Sequence, residues 1–176
     1  MKNKALSNRY RMMLFVALPI FVAMLILDLM TKHFANIKLQ VGQGADFIPG
    51  FIDFINVHNN GAAWNMFAGS QVFLIVFTFI FIFAFGFFYY KESKNGALFH
   101  ISSSLILVGC LGNLIDRLAF GYVRDMIHFE FWSSFPVFNV ADICVCVGVF
   151  LIILYYVIRL IKSSRKEKKN AEDNRK

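Results

Sequence analysis

Four apolar runs set the strongest limit on what this chain can fold into. They cover Met12 to about Met30, Val72 to Tyr90, Leu98 to about Ile115 and Ile143 to Ile158. A helix rises about 1.5 Å per residue, so roughly 20 apolar residues cross a bilayer core. In lipid the backbone must satisfy its own hydrogen bonds, and helices do so within one segment. With 58% hydrophobic residues, 16% charged residues and 22 phenylalanines, the chain is too apolar for an ordinary soluble domain. The expected fold class is an α-helical polytopic membrane protein with four transmembrane helices. A single membrane domain covers 1–176, with spans at about 12–30, 72–90, 98–115 and 143–161 and a basic tail at 162–176. No small-x-small cleavage site follows the first run, and Asp28 interrupts its end, so it reads as a retained helix. The third run is the weakest, diluted by Ser102, Ser103 and Ser104. Serines within a span usually pack or hydrogen-bond between helices.

The net charge of +7 would suit a nucleic acid, but twelve of the eighteen basic residues lie in the two tails. Lys2, Lys4, Arg9 and Arg11 precede the first run, and Arg159 to Lys176 holds eight more. Basic residues flanking spans mark the cytoplasmic side and favour anionic headgroups. Both termini are therefore expected inside, together with Lys91 and Lys94 between the second and third runs. No nucleic-acid partner is expected, and the tail reads as mobile and solvated. The segments 32–71 and 116–141 then lie outside. Phe51, Asp53, Ile55 and Val57 alternate there with Ile52, Phe54, Asn56 and His58, which is a strand pattern. A small extracytoplasmic β element follows.

The stretch from Gly109 to Asp142 carries the most informative charges. Val123, Asp125, Ile127, Phe129 and Phe131 fall on one side of an alternating segment, with Arg124, Met126, His128 and Glu130 on the other. That puts the Asp125 carboxylate on the apolar face. Asp142 opens the fourth run, and an ionisable group at the edge of a span is a functional-site candidate. Two carboxylates in a low-dielectric site cannot both ionise cheaply and tend to share a proton. One can then take a proton from water while the other polarises a carbonyl, which is peptide hydrolysis without a covalent intermediate. A structural reading stands beside this one: Asp125 paired with Arg124 or Arg117, and Asp142 capping the fourth helix.

Other hydrolytic chemistries fit less well. The chain has no HExxH zinc motif and no GxSxG elbow. A Ser–Lys dyad would have to join Ser102, Ser103 or Ser104 to Lys32 or Lys38. Cys110, Cys144 and Cys146 have no metal or redox spacing and read as small hydrophobes. Asn59-Asn60-Gly61-Ala62-Ala63-Trp64 reads as a left-handed turn whose small residues, Gly61 first, would let a substrate backbone approach. Asp28 and Lys32 form an i, i+4 pair. Asn113 and Asn139 can donate amide hydrogens to the carboxylates or to a peptide. The four histidines are scattered, and none is given a catalytic role.

Five motifs in order carry a resemblance: Asp28-Leu29-Met30-Thr31-Lys32, Asn59 to Trp64, Gly112-Asn113-Leu114-Ile115-Asp116-Arg117, Gly121-Tyr122-Val123-Arg124-Asp125 and Phe138-Asn139-Val140-Ala141-Asp142. Set between four spans, they resemble lipoprotein signal peptidase (signal peptidase II) across roughly residues 12–160. The resemblance implies a bacterial inner-membrane aspartic endopeptidase that removes signal peptides from diacylglyceryl-modified prolipoproteins, cutting just before the lipidated cysteine. It implies a catalytic pair at Asp125 and Asp142, with Asn59, Asn113, Arg117 and Asn139 lining the substrate site. Asp28 and Lys32 match its first motif. No metal or other cofactor is expected; membrane lipids are expected partners, and the chain a monomer. Leu29, Val108, Trp64 and Met126 depart from the usual Gln, Gly, Phe and Phe. Two other function classes stand beside it: a small proton- or ion-coupled transporter using the same acids, for which no internal repeat is visible, and a noncatalytic scaffold.

The topology is open to direct measurement. In a cysteine-free background, Lys94→Cys and Trp132→Cys should react with an impermeant thiol reagent from opposite sides of the membrane. Labelling from the same side would overturn the arrangement.

Overall fold

The structure is a computed structural model that describes residues 10–94 and 96–174. Lys2, Lys4 and Arg9, Asn95 of the connection after the second helix, and Arg175 and Lys176 lie outside the described residues. Among the described residues four helices are long and apolar enough to cross a membrane: α1 (Tyr10–Lys38), α2 (Gln71–Glu92), α3 (Ala97–Phe120) and α4 (Val140–Asp173). Three strands, β1 (Gly44–Ile48), β2 (Ile52–Asn59) and β3 (Val123–Phe129), form one antiparallel sheet in the order β1-β2-β3.

Each helix runs beyond the apolar run that announced it. In α1 the segment Met13–Ala17 is π-helical and leads into regular helix at Leu18, with Pro19 in the first turn. Proline lacks an N–H and crowds the preceding turn, which the wider π turn accommodates. At the other end α4 continues through the basic segment to Asp173, where a tail without fixed structure was expected. Lys, Arg, Glu and Ala are good helix formers, so a helix already nucleated in the bundle propagates through them while their heads stay in solvent.

The weak third run turns out to be the centre of the bundle. Phe99, Ile106, Val108 and Leu114 of α3 are buried, as are Ser102, Ser103 and Ser104. Its lower hydropathy follows from facing protein rather than lipid. Two of the serines use local or interhelical bonds: Ser102 Oγ donates to Phe99 O, and Ser104 Oγ donates to Ala17 O of α1 at 3.0 Å. By contrast, Leu74 is the only buried residue among those described in α2, so most of that helix lies at the surface of the bundle.

Helices α3 and α4 touch backbone to backbone. A Cβ on Gly109 would collide with the carbonyl oxygen of Ala141 and with Val145, and one on Gly148 would lie 2.8 Å from Ser102 O. This contact seats the N-terminus of α4 against the middle of α3. The sheet lies where α1 and α3 end and α4 begins. β3 runs from Val123 to Phe129 and then tightens into a 3-10 turn, Glu130–Trp132, so the strand stops before Phe131. Val123 to Met126 is buried on both faces.

Filling the α3–α4 contact should therefore destabilise the protein. Gly109→Ala should lower the thermal unfolding midpoint in detergent, because overpacking costs about 1–3 kcal/mol. Gly86→Ala on α2 has nothing within 4 Å of the added carbon and should leave the midpoint in place. Equal behaviour of the two would contradict the close packing described here.

Candidate active site

Three asparagines bring Asp125 and Asp142 to one place. On β2, Val57 is the register partner of Asp125, and Asn59 stands two residues further along the same face. Asn59 Nδ2 donates to Asp125 Oδ2 at 2.8 Å, while Asn59 Oδ1 accepts from Gly61 N at 2.9 Å. Asn139 is the N-cap of α4 and forms a capping box with Asp142: Asp142 N donates to Asn139 Oδ1, and Asn139 N donates to Asp142 Oδ2. Its free amide hydrogens turn the other way. Asn139 Nδ2 donates to Asp125 Oδ1 at 2.6 Å and to Asn113 Oδ1 at 3.0 Å. Asn113 Nδ2 in turn donates to Asp142 Oδ1 at 2.8 Å. Every one of these amides is held at its oxygen end, so the direction of its N–H groups is fixed.

Behind the asparagines lies a buried charge cluster. The Lys32 ammonium, fully buried, bonds Asp28 Oδ2 at 2.8 Å and Asn113 Oδ1 at 2.9 Å. Asp28 spans two helices, because its Oδ1 accepts from Ala141 N in the first turn of α4 at 2.8 Å. Gly112 makes room for it, since a Cβ there would sit 2.5 Å from Asp28 Oδ2. The Asp28–Lys32 pair of the first motif therefore supports the site from below.

Some expected partners differ. Neither Arg124 nor Arg117 pairs with Asp125. Arg124 projects from the opposite face of β3 and binds Asp116 through Nη2 at 2.7 Å and Nε at 3.1 Å. Alternation along a strand makes that separation unavoidable. Arg117 Nη2 donates to Gly61 O at 2.8 Å. Gly61 itself is not left-handed; a Cβ on it would meet Met66 O at 2.7 Å, so the close approach is made by this chain's own loop. The left-handed residues of that loop are Trp64, Asn65 and Phe67, with φ of 52°, 59° and 57°. A Ser–Lys dyad is not assembled, because Lys32 is committed to Asp28 and Asn113, Ser102 and Ser104 bond backbone carbonyls, and Ser103 Oγ has no hydrogen-bond partner among the described residues.

The two carboxyls open onto a cavity of about 500 Å³. Asn59, Asn113 and Arg117 also line it, and its walls are largely apolar: Trp64, Phe129, Phe135, Phe138, Ile143 and Cys146 among them. The three phenylalanines of that wall were not assigned to the site from the sequence, where 22 phenylalanines hide any particular three. The motif Phe138-Asn139 was the available signal. Val108, Val140 and Cys144 form a buried apolar cluster with Phe21, Met24, Leu25 and Leu105 packed against it. None of the four histidines lines the cavity. Among the described residues no group of three or more His, Cys, Asp or Glu side chains is placed to hold a metal ion.

Burial pushes the Asp125 carboxyl up to about 7 from its ordinary 3.8, and the neighbouring Asp142 charge pushes the same way; the Asn59 and Asn139 amides and Lys32 oppose the rise. A carboxyl so placed gives up its proton near neutral pH.

Comparison with known proteins places this arrangement. The family model described as signal peptidase (SPase) II matches residues 20–158. The chain is 38% identical over 157 residues to a protein of Staphylococcus carnosus named lipoprotein signal peptidase, covering 88% of this chain and 96% of that one. Proteins of the same name from Staphylococcus haemolyticus and Enterococcus faecalis are 34% and 35% identical, over 86% and 82% of this chain and 94% and 88% of theirs. A solved bacterial membrane enzyme superposes with a TM-score of 0.76 at 34% identity, covering 84% of this chain and 88% of that one. A second such structure gives 0.74 at 33% identity, with 80% and 91% covered.

The raised Asp125 value makes stability depend on pH. Between the ordinary 3.8 and about 7 the folded protein holds a proton that the unfolded chain releases. Stability from this group is thus fully present in acid and lost as pH rises through that window. Asp125→Asn removes the dependence, so its unfolding midpoint relative to the parent should be more favourable at pH 8 than at pH 5. The same difference at both pH values would refute the shift.

Proposed function

The chain belongs to the signal peptidase II family, and from that membership we propose that it removes signal peptides from prolipoproteins by aspartic chemistry, with Asp125 and Asp142 as the catalytic pair. The observation that carries this reading is the convergence of the two carboxyls, from β3 and from the first turn of α4, on one partly apolar cavity.

In the working state the pair holds one proton and titrates as a unit. The ionised member accepts a proton from a water molecule as that water attacks the scissile carbonyl. The protonated member donates a hydrogen bond to the carbonyl oxygen and stabilises the charge that develops there. Collapse of the tetrahedral intermediate breaks the C–N bond, and a proton returned by the pair leaves with the new amine. Asn59, Asn113 and Asn139 hold the carboxyls in register, so little reorganisation is needed during the step. Arg117 fixes the loop at Gly61 beside the same cavity. Asp28 and Lys32 support the pair through Asn113 and the start of α4.

The substrate proposed is the diacylglyceryl-modified form, cut just before the lipidated cysteine. Apolar walls suit acyl chains at about 0.8 kcal/mol per buried CH₂. Binding energy gained there can position the peptide bond over the carboxyls. The basic residues at both ends of the chain support a cytoplasmic-membrane orientation with the termini inside and the site at the outer face. A monomer is sufficient, because all the residues invoked come from one chain.

A proton- or ion-coupled transporter is not favoured. Such a protein needs polar groups leading onward through the membrane. Here the charged groups behind the site, Asp28 and Lys32, are preceded along α1 by Phe21, Met24 and Leu25, which pack on the apolar cluster of Val108, Val140 and Cys144.

The test is cleavage by purified protein. Asp125→Asn and Asp142→Asn should each abolish nearly all release of signal peptide from diacylglyceryl-prolipoprotein, and the double variant should be little worse, because such residues act as one unit. The parent should cut unmodified prolipoprotein far more slowly. Substantial turnover in an inserted single variant would return that aspartate to a structural role.

A further inference from the structure

The mechanism above leaves one buried ion pair unused. Asp116 on α3 is fully buried, and Arg124 on β3 is 7% exposed. Arg124 meets Asp116 at three points: its backbone N donates to Oδ2 at 2.9 Å, Nε to Oδ2 at 3.1 Å and Nη2 to Oδ1 at 2.7 Å. Its guanidinium also lies over the Phe120 ring at 4.5 Å. The pair clamps β3, one residue before Asp125, to the end of α3.

A second consequence concerns Lys32. Its ammonium lies 3.7 Å from Asp116 Oδ2, against 2.8 Å from Asp28 and 2.9 Å from Asn113 Oδ1. Asp116 is thus within reach of Lys32 but already satisfied by Arg124. We propose that Arg124 is a positioning residue for the reaction: by occupying Asp116 it leaves the Lys32 ammonium on Asn113, and so keeps the Asn113 amide aimed at Asp142. Without Arg124, a buried carboxylate has Lys32 as its nearest cation, and a short-range Coulomb attraction in a dry site draws the ammonium across. Asn113 then loses the contact that fixes its oxygen end, and Asp142 loses a well-aimed donor.

The charges facing this pair come from every neighbouring element. Lys32 and Asp28 belong to α1, His58 on β2 is the register partner of Arg124, and Arg117 follows Asp116 on α3. Asp125 and Asp142 complete the set. Burial first, and the Arg124 charge second, lower His58 below its ordinary value, so it stays neutral near pH 7. Lys32 faces both aspartates and Arg117 faces Asp142, while Arg124 reaches them only through Asp116 and Lys32.

The inference rests on Asp125 and Asp142 as the catalytic pair. In the lipidated-prolipoprotein assay Arg124→Met should lower kcat on the order of 10²-fold, the cost of a small misplacement. KM should stay near the parent value, because neither Arg124 nor Asp116 lines the cavity. The alkaline limb of the pH–rate profile should move to higher pH, since a pair deprived of nearby positive charge holds its proton longer. Asp116→Asn/Arg124→Met leaves no unmatched carboxylate to capture Lys32, so it should recover most of kcat and return the limb. Wild-type kcat and limb in Arg124→Met, or a double variant no better than the single, would overturn the inference. Should Arg124→Met fail to accumulate, Arg124→Gln serves: reduced kcat with the limb moved to higher pH is expected, and parental kcat and limb overturn the proposal. Turnover in Asp125→Asn or Asp142→Asn would instead remove the catalytic pair itself, a separate outcome.

Discussion

The arrangement depends on one buried ammonium. A lysine deep in a helical bundle is costly unless its charge is matched and its donors are used. Lys32 meets both conditions with groups from two helices: Asp28 on its own α1 and Asn113 on α3. Asp28 then reaches α4 through Ala141 N. The same few atoms therefore decide how three helices sit and where the Asp142 side chain points. Any change that lets Lys32 relax also loosens the amide that holds the Asp142 carboxyl.

Charge balance extends the same constraint. Four carboxyls, those of Asp28, Asp116, Asp125 and Asp142, face three cations, those of Lys32, Arg117 and Arg124. With all seven ionised the cluster carries one excess negative charge in a place with little water. One proton on the aspartate pair brings it to neutrality. The electrostatics of the surroundings thus favour the singly protonated pair that acid–base hydrolysis requires, before any substrate enters. The elevated Asp125 value near 7 is the local expression of that balance.

Much of this was legible in the sequence, and the boundary has physical causes. Helices in lipid must be long and apolar, so four of them could be read off, and alternation placed β2 and β3. Asp125 and Asp142 stood out because a carboxylate among apolar residues needs a reason. The asparagines were recognisable as donors, but their partners were not. Asn139 serves both carboxyls because it is an N-cap with a spare pair of amide hydrogens, which is a property of geometry. Adjacency made Arg124 one candidate partner in the structural alternative for Asp125, yet in a strand adjacent residues face opposite ways. The helical continuation to Asp173 was hidden by a composition that suits either a solvated coil or a solvated helix.

Two departures from the family pattern can now be weighed by position. Met126 is 2% exposed and lies on the face of β3 away from Asp125, so its replacement of the usual phenylalanine is a matter of packing. Trp64 is 65% exposed, lines the cavity and meets Phe135 edge-on at 5.9 Å. It is also held at φ 52°, a conformation that costs a bulky residue energy. The loop therefore keeps a large ring at the cavity wall at some expense, where a smaller one would leave more space. Differences in which prolipoproteins fit should reside at this wall and in its aromatic neighbours. The hydrogen-bonded carboxyls, fixed from below by three helices, have little freedom to vary with them.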